Sequence, residues 1–189
     1  MQLPEDIVIF DVETTDGALG PHEIIEIGAI HVSKYLEIGA GYSAVIRPPH
    51  PEWVTPYITE LTGIDQERVE AADTWEEQWK DFGEFTHFNH KTLGAWGAYF
   101  DIPVLRHAYN QHKLGYPHRG RAWDIKSYVG GLFAHWGLKP KSWGLGAVCK
   151  HFNVENPRAH RALSDAETTA QLLKAVFNYS MELNDADND

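Results

Sequence analysis

Cysteine is almost missing from this chain of 189 residues, which contains Cys149 alone. A single thiol excludes an internal disulfide and a zinc site built from several cysteines. Long apolar runs are also missing, because no stretch approaches the roughly 20 residues of a membrane-spanning helix. The N-terminus lacks the basic and then apolar pattern of a signal peptide. We therefore expect a cytoplasmic protein with no membrane partner.

Basic residues are scarce, with 16 Lys and Arg against 27 Asp and Glu and a net charge of −11. Such a balance argues against a nucleic-acid partner, but the basic residues are unevenly spread. Residues 101–161 contain ten Lys and Arg and three acids. This basic segment forms either a phosphate-binding surface or ordinary mixed surface. If it lines a substrate path, we expect Arg119, Arg121, Lys139 and Lys141 to contribute to affinity.

The chain is rich in aromatic residues, with 7 Trp, 8 Tyr and 8 Phe, as is typical of a folded globular protein. Its length favours one domain, over residues 1–180, followed by an acidic tail at 181–189.

Apolar stretches bounded by turn residues predict five strands, and the first three follow one another closely enough to form an antiparallel meander. The first four stretches begin at residues 7, 24, 39 and 93, and the fourth is expected to extend to Tyr99. The residues Trp123 to Ile125 are expected to end a short fifth strand. Asp101 is expected to cap a helix, and Leu163 to Asn178 has the apolar spacing of an amphipathic helix. This order predicts an α/β fold with a five-stranded mixed sheet flanked by helices.

The first strand runs directly into two acids, in the sequence IVIFDVETTD. Asp11 and Glu13 lie two residues apart, so both face the same side of a strand. Burying two like charges together is costly, and a hard divalent cation offsets that cost by accepting oxygen ligands. The alternative is that the strand ends at Phe10 and both acids are solvated.

Further along the chain, Asp101 follows a predicted strand and Asp165 lies within an apolar helix, five residues after His160. Each residue alone is weak evidence, because exposed acids and histidines are common. Together with Asp11 and Glu13 they fit a two-metal site for phosphoryl transfer. Carboxylate oxygens are the ligands that Mg²⁺ or Mn²⁺ prefers, and a histidine can accept a proton near neutral pH.

Three motifs in order, FDVETTD, AYFDIPVL and HRALSDAETTAQLL, closely resemble those of DnaQ-like 3′–5′ exonucleases of the DEDDh type. The resemblance extends from Ile7 to about Leu173. It implies a ribonuclease H-like fold, four metal-binding acids and a general base, with all five residues catalytic and two Mg²⁺ or Mn²⁺ ions as cofactor. The acids are Asp11, Glu13, Asp101 and Asp165, and the base is His160.

The same resemblance implies a substrate, the 3′ end of single-stranded RNA or DNA, from which nucleoside 5′-monophosphates are released. Because the chain after the first motif approaches the terminal ribose in this family, Thr14 and Thr15 are expected substrate contacts. Arg161, in the basic segment, is a third. The sequence RPPHPEWVTPYITELTGI and the WDIK at 123–126 also resemble Eri-type exoribonucleases, whereas HRALSD is more similar to ribonuclease T and proofreading subunits. The sequence therefore leaves open whether the substrate is RNA or DNA.

Two other functions remain open beside an independent exonuclease. One is a proofreading or accessory subunit that works with a polymerase. The other is a non-catalytic binding module that retains a nuclease fold. For protein partners, both a second copy of the chain and a polymerase are left open.

Overall fold

A computed structural model describes residues 2–87, 91–118 and 122–186. Its centre is a five-stranded sheet in the order β3-β2-β1-β4-β5. The strands are β1 (Ile7–Thr14), β2 (Ile24–Val32), β3 (Ile38–Val45), β4 (Thr92–Ala95) and β5 (Ala122–Asp124). The first three pair antiparallel, whereas β4 is parallel to both β1 and β5. The predicted meander and the predicted five-stranded mixed sheet are therefore confirmed.

Helices cover both faces of this sheet and enclose two main apolar cores. The helices are α1 (Pro56–Thr62), α2 (Gln66–Glu70), α3 (Trp75–Phe85), α4 (Ala98–Gln111), α5 (Ile125–His135), α6 (Leu145–His151) and α7 (Ala162–Ala186). Ile7 and Ile9 of β1 belong to the core beneath α5, α6 and α7. Val8 and Phe10 belong to the core beneath α3 and α4, as the alternation of a strand requires.

The fourth strand ends earlier than the sequence predicts, at Ala95 instead of Tyr99. Gly97 has a φ of 101°, a left-handed conformation that costs glycine little, and it serves as the N-cap of α4. The helix therefore begins at Ala98, and Asp101 lies within its first turn. The expectation that Asp101 caps this helix is wrong, because the glycine turns the chain before the acid is reached.

The last helix is longer than the predicted Leu163–Asn178 segment and continues to Ala186. Residues 181–186 of the predicted acidic tail are therefore helical. Even α7, with 25 residues, is not apolar enough to cross a membrane, and the same holds for every other helix in the described part of the chain.

The N-terminal end of α7 lies directly on β2 at Gly28. A Cβ atom built on Gly28 would lie 2.1 Å from the backbone nitrogen of Leu163 and 2.3 Å from the carbonyl carbon of Ala162. These are backbone atoms that cannot move independently of the helix. Gly28 also pairs with Asp11 across the two strands. The missing side chain thus brings the start of α7 next to the acidic end of β1.

We expect Gly28→Ala to destabilise the fold by about 1–3 kcal/mol, because α7 must move away from β2 to admit the methyl group. Urea unfolding followed by circular dichroism measures this change. The control is Gly131→Ala, since no atom lies within 4 Å of the Cβ position in the middle of α5. That substitution should stabilise the protein by roughly 0.5–1 kcal/mol. Equal stability of the two variants would contradict the close approach of α7 to β2.

Candidate active site

Two of the expected acids lie at the carboxyl end of β1, where the parallel strands β1, β4 and β5 all end on one edge of the sheet. Asp11 and Glu13 point to the same face as Ile7 and Ile9, toward α7. The solvated-strand interpretation is wrong for Glu13, because β1 continues to Thr14 and the Glu13 side chain is buried.

Asp101 reaches the same place from the first turn of α4. It is buried, and one of its carboxylate oxygens accepts a hydrogen bond of 3.3 Å from the backbone N–H of Val12. Val12 lies between Asp11 and Glu13, so this bond ties α4 to the acidic end of β1.

The other two predicted residues come from the loop before α7 and from its first turn. Carboxylate oxygens of Glu13 and Asp165 and a ring nitrogen of His160 all lie within 4.8 Å of one another. The backbone of His160 is left-handed, with a φ of 62°, and its N–H donates to Asp165 at 3.1 Å. Its imidazole is exposed to solvent. The structure thus brings together all five residues that the motifs indicate.

Crowding makes these carboxyl groups unusually reluctant to ionise. Burial raises the pKa of Glu13 from 4.5 to about 8, and the charges of Asp165, Glu26 and Asp101 act in the same direction. Burial also raises the pKa of Asp101, to about 7. The pKa of Asp11 lies well above its usual value because of burial, followed by repulsion from Asp101 and Glu13.

Burial likewise raises the pKa of Asp165, against the hydrogen bonds that it accepts from Asn156 and His160. Four acids whose charged forms are disfavoured mainly by burial, and whose ligand atoms are all oxygens, form a site suited to hard divalent cations. Neutralising cations would remove the repulsion, so these residues fit the expected cofactor.

Glu26 is a fifth acid at this place, and the sequence analysis did not single it out, although its side chain is buried. It pairs with Glu13 across β1 and β2, and its carboxylate accepts two hydrogen bonds from Arg161 Nε and one of 2.6 Å from the terminal nitrogen. The backbone N–H of Ala162 donates a further bond of 3.0 Å. The sequence offered one signal for this residue, because Glu26 is an acid inside the apolar stretch IIEIGAIHV. Its proximity to Glu13, however, depends on the register between β1 and β2.

The predicted substrate contacts all have partners within the protein. The Thr14 hydroxyl lies 3.0 Å from a ring nitrogen of His22, and the Thr15 hydroxyl accepts from the Glu23 N–H at 3.1 Å. Arg161 is held by Glu26 and is still partly exposed. Contact of these three residues with a substrate stays a prediction.

In the basic segment, Lys139 and Lys141 are exposed, whereas Arg119 and Arg121 lie outside the described residues. A cavity of about 680 Å³ opens beside His160 and Asp165, between α6 and the loop that precedes α7. Lys150 and Asn156 line it. A volume of this size falls within the range of small-molecule sites.

Curated relatives include PolC-type DNA polymerases III. The chain is 32% identical to that of Caldanaerobacter subterraneus over 181 residues, which are 96% of the chain and 12% of the polymerase. It is 34% identical to that of Bacillus subtilis over 178 residues, 94% of the chain and again 12% of the polymerase. The chain therefore spans about an eighth of the length of these relatives.

Solved structures with the same fold are nucleases. The nuclease domain of 3′hExo, a DEDDh family member bound to rAMP, superposes with a TM-score of 0.76 at 22% identity, covering 92% of both chains. Cell-death related nuclease 4 gives a TM-score of 0.82 at 18% identity, covering 93% of this chain and 64% of that one. The expected ribonuclease H-like exonuclease fold is confirmed.

The RNase T family model, described as exonuclease, matches residues 8–173. This match contains the acids of β1, Asp101, His160 and Asp165, and it covers most of the chain. The protein therefore belongs to the DnaQ-like exonuclease family that this model describes, and it shares its fold with the DEDDh nuclease domain of 3′hExo.

Proposed function

We propose that this domain hydrolyses the last phosphodiester bond at the 3′ end of single-stranded RNA or DNA and releases nucleoside 5′-monophosphates. The observation that carries the proposal is the convergence of four carboxylates and one histidine at the end of β1. Glu13, His160 and Asp165 place their ligand atoms within 4.8 Å of one another. An arrangement this rich in negative charge is costly unless it serves to bind cations.

The cofactor proposed is a pair of Mg²⁺ or Mn²⁺ ions, because the site offers carboxylate oxygens and no thiolate. Asp11, Glu13, Asp101 and Asp165 would hold them. When bound, such ions polarise the phosphodiester, lower the pKa of water and stabilise the leaving oxygen. The buried hydrogen bond from Val12 to Asp101 keeps one of these acids in place before any ion binds.

His160 is proposed as the general base. Its imidazole is exposed and close to both Glu13 and Asp165, so a water molecule between them and a bound substrate would lie within its reach. The imidazole takes one proton from this water as the water oxygen attacks the phosphorus. The bond from phosphorus to the 3′ oxygen of the preceding nucleotide then breaks, and that oxygen takes up a proton from solvent. The products are a nucleoside 5′-monophosphate and a strand shortened by one residue.

A second candidate function keeps the same reaction but assigns it to proofreading beside a polymerase. The PolC-type relatives are polymerases, and this chain matches 12% of their length. We propose proofreading beside a polymerase as the alternative biological role. Co-purification of the tagged, full-length natural protein with a polymerase would support it.

The activity is tested with matched RNA and DNA oligonucleotides, single- and double-stranded, in Mg²⁺ and in Mn²⁺. A 3′ label should appear first in mononucleotides, while a 5′ label should give a ladder that shortens from the 3′ end. The relative rates decide between RNA and DNA. Absence of mononucleotide release from all these substrates would instead support the non-catalytic binding module.

Removing either of two acids should abolish turnover. Asp11→Asn and Asp165→Asn keep the shape of the side chain but remove the charge that binds cations, so nucleotide release should fall to background. Addition of EDTA to the unaltered protein should have the same effect, reversed by excess Mg²⁺. The control is Asp81→Asn on the exposed side of α3, which should retain full activity. Activity of Asp11→Asn in EDTA would contradict the mechanism.

Replacement of the base should slow the reaction without emptying the cation site. We expect His160→Asn to lower kcat on the order of 10²–10⁴-fold. Asparagine tolerates the left-handed backbone at this position, so misfolding is not expected. His135→Asn, at an exposed position in α5, is the control. If Mn²⁺ affinity, measured by calorimetry, falls as far as kcat does, His160 is a ligand instead of a base.

The metal-free protein should lose stability as the pH rises. Glu13, with a pKa raised to about 8, and Asp101, raised to about 7, hold protons more tightly in the folded chain than in the unfolded chain. Their stabilising contribution is complete below the unfolded pKa and is lost as the pH rises through the folded pKa.

Thermal unfolding in EDTA should therefore show a falling Tm between about pH 5 and pH 9. Glu13→Gln should make this fall shallower, and saturating Mg²⁺ should oppose it by neutralising the acids. Glu60→Gln, an exposed residue of α1, controls for the loss of one negative charge. The raised pKa values would be contradicted if the Tm of the unaltered protein rose over this pH range while the Tm of Glu13→Gln did not.

A further inference from the structure

We propose that Asn156 is a positioning residue for Asp165, holding its carboxylate in the orientation that binds the cation. This inference rests on the proposed metal-dependent function. The motifs do not include Asn156, which lies nine residues before Asp165 in the loop between α6 and α7. It is partly buried and lines the cavity beside the site.

The contact between the two residues is short. Asn156 Nδ2 donates to one oxygen of Asp165 at 2.6 Å, and the backbone N–H of His160 donates to the other oxygen at 3.1 Å. Each oxygen therefore has a donor from the same loop. Two donors on opposite oxygens fix the rotation of the carboxylate, which one donor would leave free.

The amide of Asn156 is itself anchored. Its nitrogen must face Asp165, because a carboxylate only accepts hydrogen bonds. Its oxygen accepts from the Ser164 hydroxyl at 3.3 Å, in the first turn of α7. Asn156 thus bridges Ser164 and Asp165, so the loop and the helix hold the carboxylate together.

A neutral donor suits this position better than a charged one. Lysine or arginine would also orient Asp165, but its positive charge would offset the negative charge that attracts a cation. Aspartate would place a second carboxylate against the first. An amide supplies direction without changing the charge of the site, and at 2.6 Å it does so at close range.

The experiment compares Mn²⁺ affinity, measured by calorimetry without substrate, in the unaltered protein and in Asn156→Leu and Asn156→Asp. Loss of an outer hydrogen bond to a metal ligand typically weakens affinity about 10–100-fold. We expect a loss of about 10-fold for leucine and a loss for aspartate as well, because neither side chain donates a hydrogen bond to an ionised carboxylate. Activity of Asn156→Leu should recover as Mn²⁺ is raised, because the site is misoriented and still present.

The matched control is Asn178→Leu, the same change at an exposed position of α7, three to four turns beyond Asp165. The Tm of each variant in EDTA separates positioning from general stability, and for Asn156→Leu it should stay near that of the control. A Kd for Mn²⁺ within two-fold of the unaltered protein overturns the inference. The inference is also overturned if Asn156→Leu has a lower Tm in EDTA and its activity does not recover at high Mn²⁺.

The unaltered protein separates this failure from that of the proposed function. If it binds Mn²⁺ and releases mononucleotides while Asn156→Leu is unchanged, the role of Asn156 alone is wrong. If the unaltered protein neither binds Mn²⁺ nor cleaves any strand, both proposals are overturned.

Discussion

Burial of closely spaced carboxylates at the end of β1 is the constraint on which this structure depends. Burial raises the pKa values of Asp11, Glu13, Asp101 and Asp165, and the charges of neighbouring acids add to this effect at Asp11 and at Glu13, whose pKa reaches about 8. A surface able to relax would let these groups move apart. Here β1 is the middle strand of the sheet, with β2 on one side and β4 on the other. Its apolar residues fill the cores on both faces, so the acids have a fixed base.

Two features then bring α7 to that base. Gly28 lets the start of the helix touch β2, since any side chain would meet the backbone of Ala162 and Leu163. The buried Glu26 accepts hydrogen bonds from both the Arg161 side chain and the Ala162 backbone. Arg161 is partly exposed, but its removal would leave the buried charge of Glu26 without its cation, which is destabilising. The close packing at Gly28 and this ion pair thus hold the start of α7 against β2, beside the acidic end of β1.

The sequence was sufficient for the sheet and the meander, because apolar runs are local signals, and the motifs shared with a known family indicated the five residues that the structure brings together. It was insufficient where the outcome depends on long-range geometry. Gly97 ends the strand before Tyr99 through a left-handed turn, which the apolar stretch 93–99 concealed. Glu26 became visible as part of the site only through its register with Glu13. Asn156 could be connected with the site only once the structure showed its loop folded back onto α7, where it contacts Asp165. Arg161, expected at the substrate, is bound to Glu26, a pairing across 135 positions that no local pattern contains.

The acids of β1 and His160 lie in segments of the chain that differ in how easily they unfold locally. β1 is paired on both sides and almost entirely buried, whereas His160 ends the exposed turn of residues 157–160. Native proteins open locally, and segments with little burial open at much lower free energy than central strands. Amide hydrogen exchange should thus be slow along β1 and fast at residues 158 and 159. An opening that displaces His160 would leave the acids of β1 in place, so the domain can lose its proposed base for a moment and recover it without unfolding.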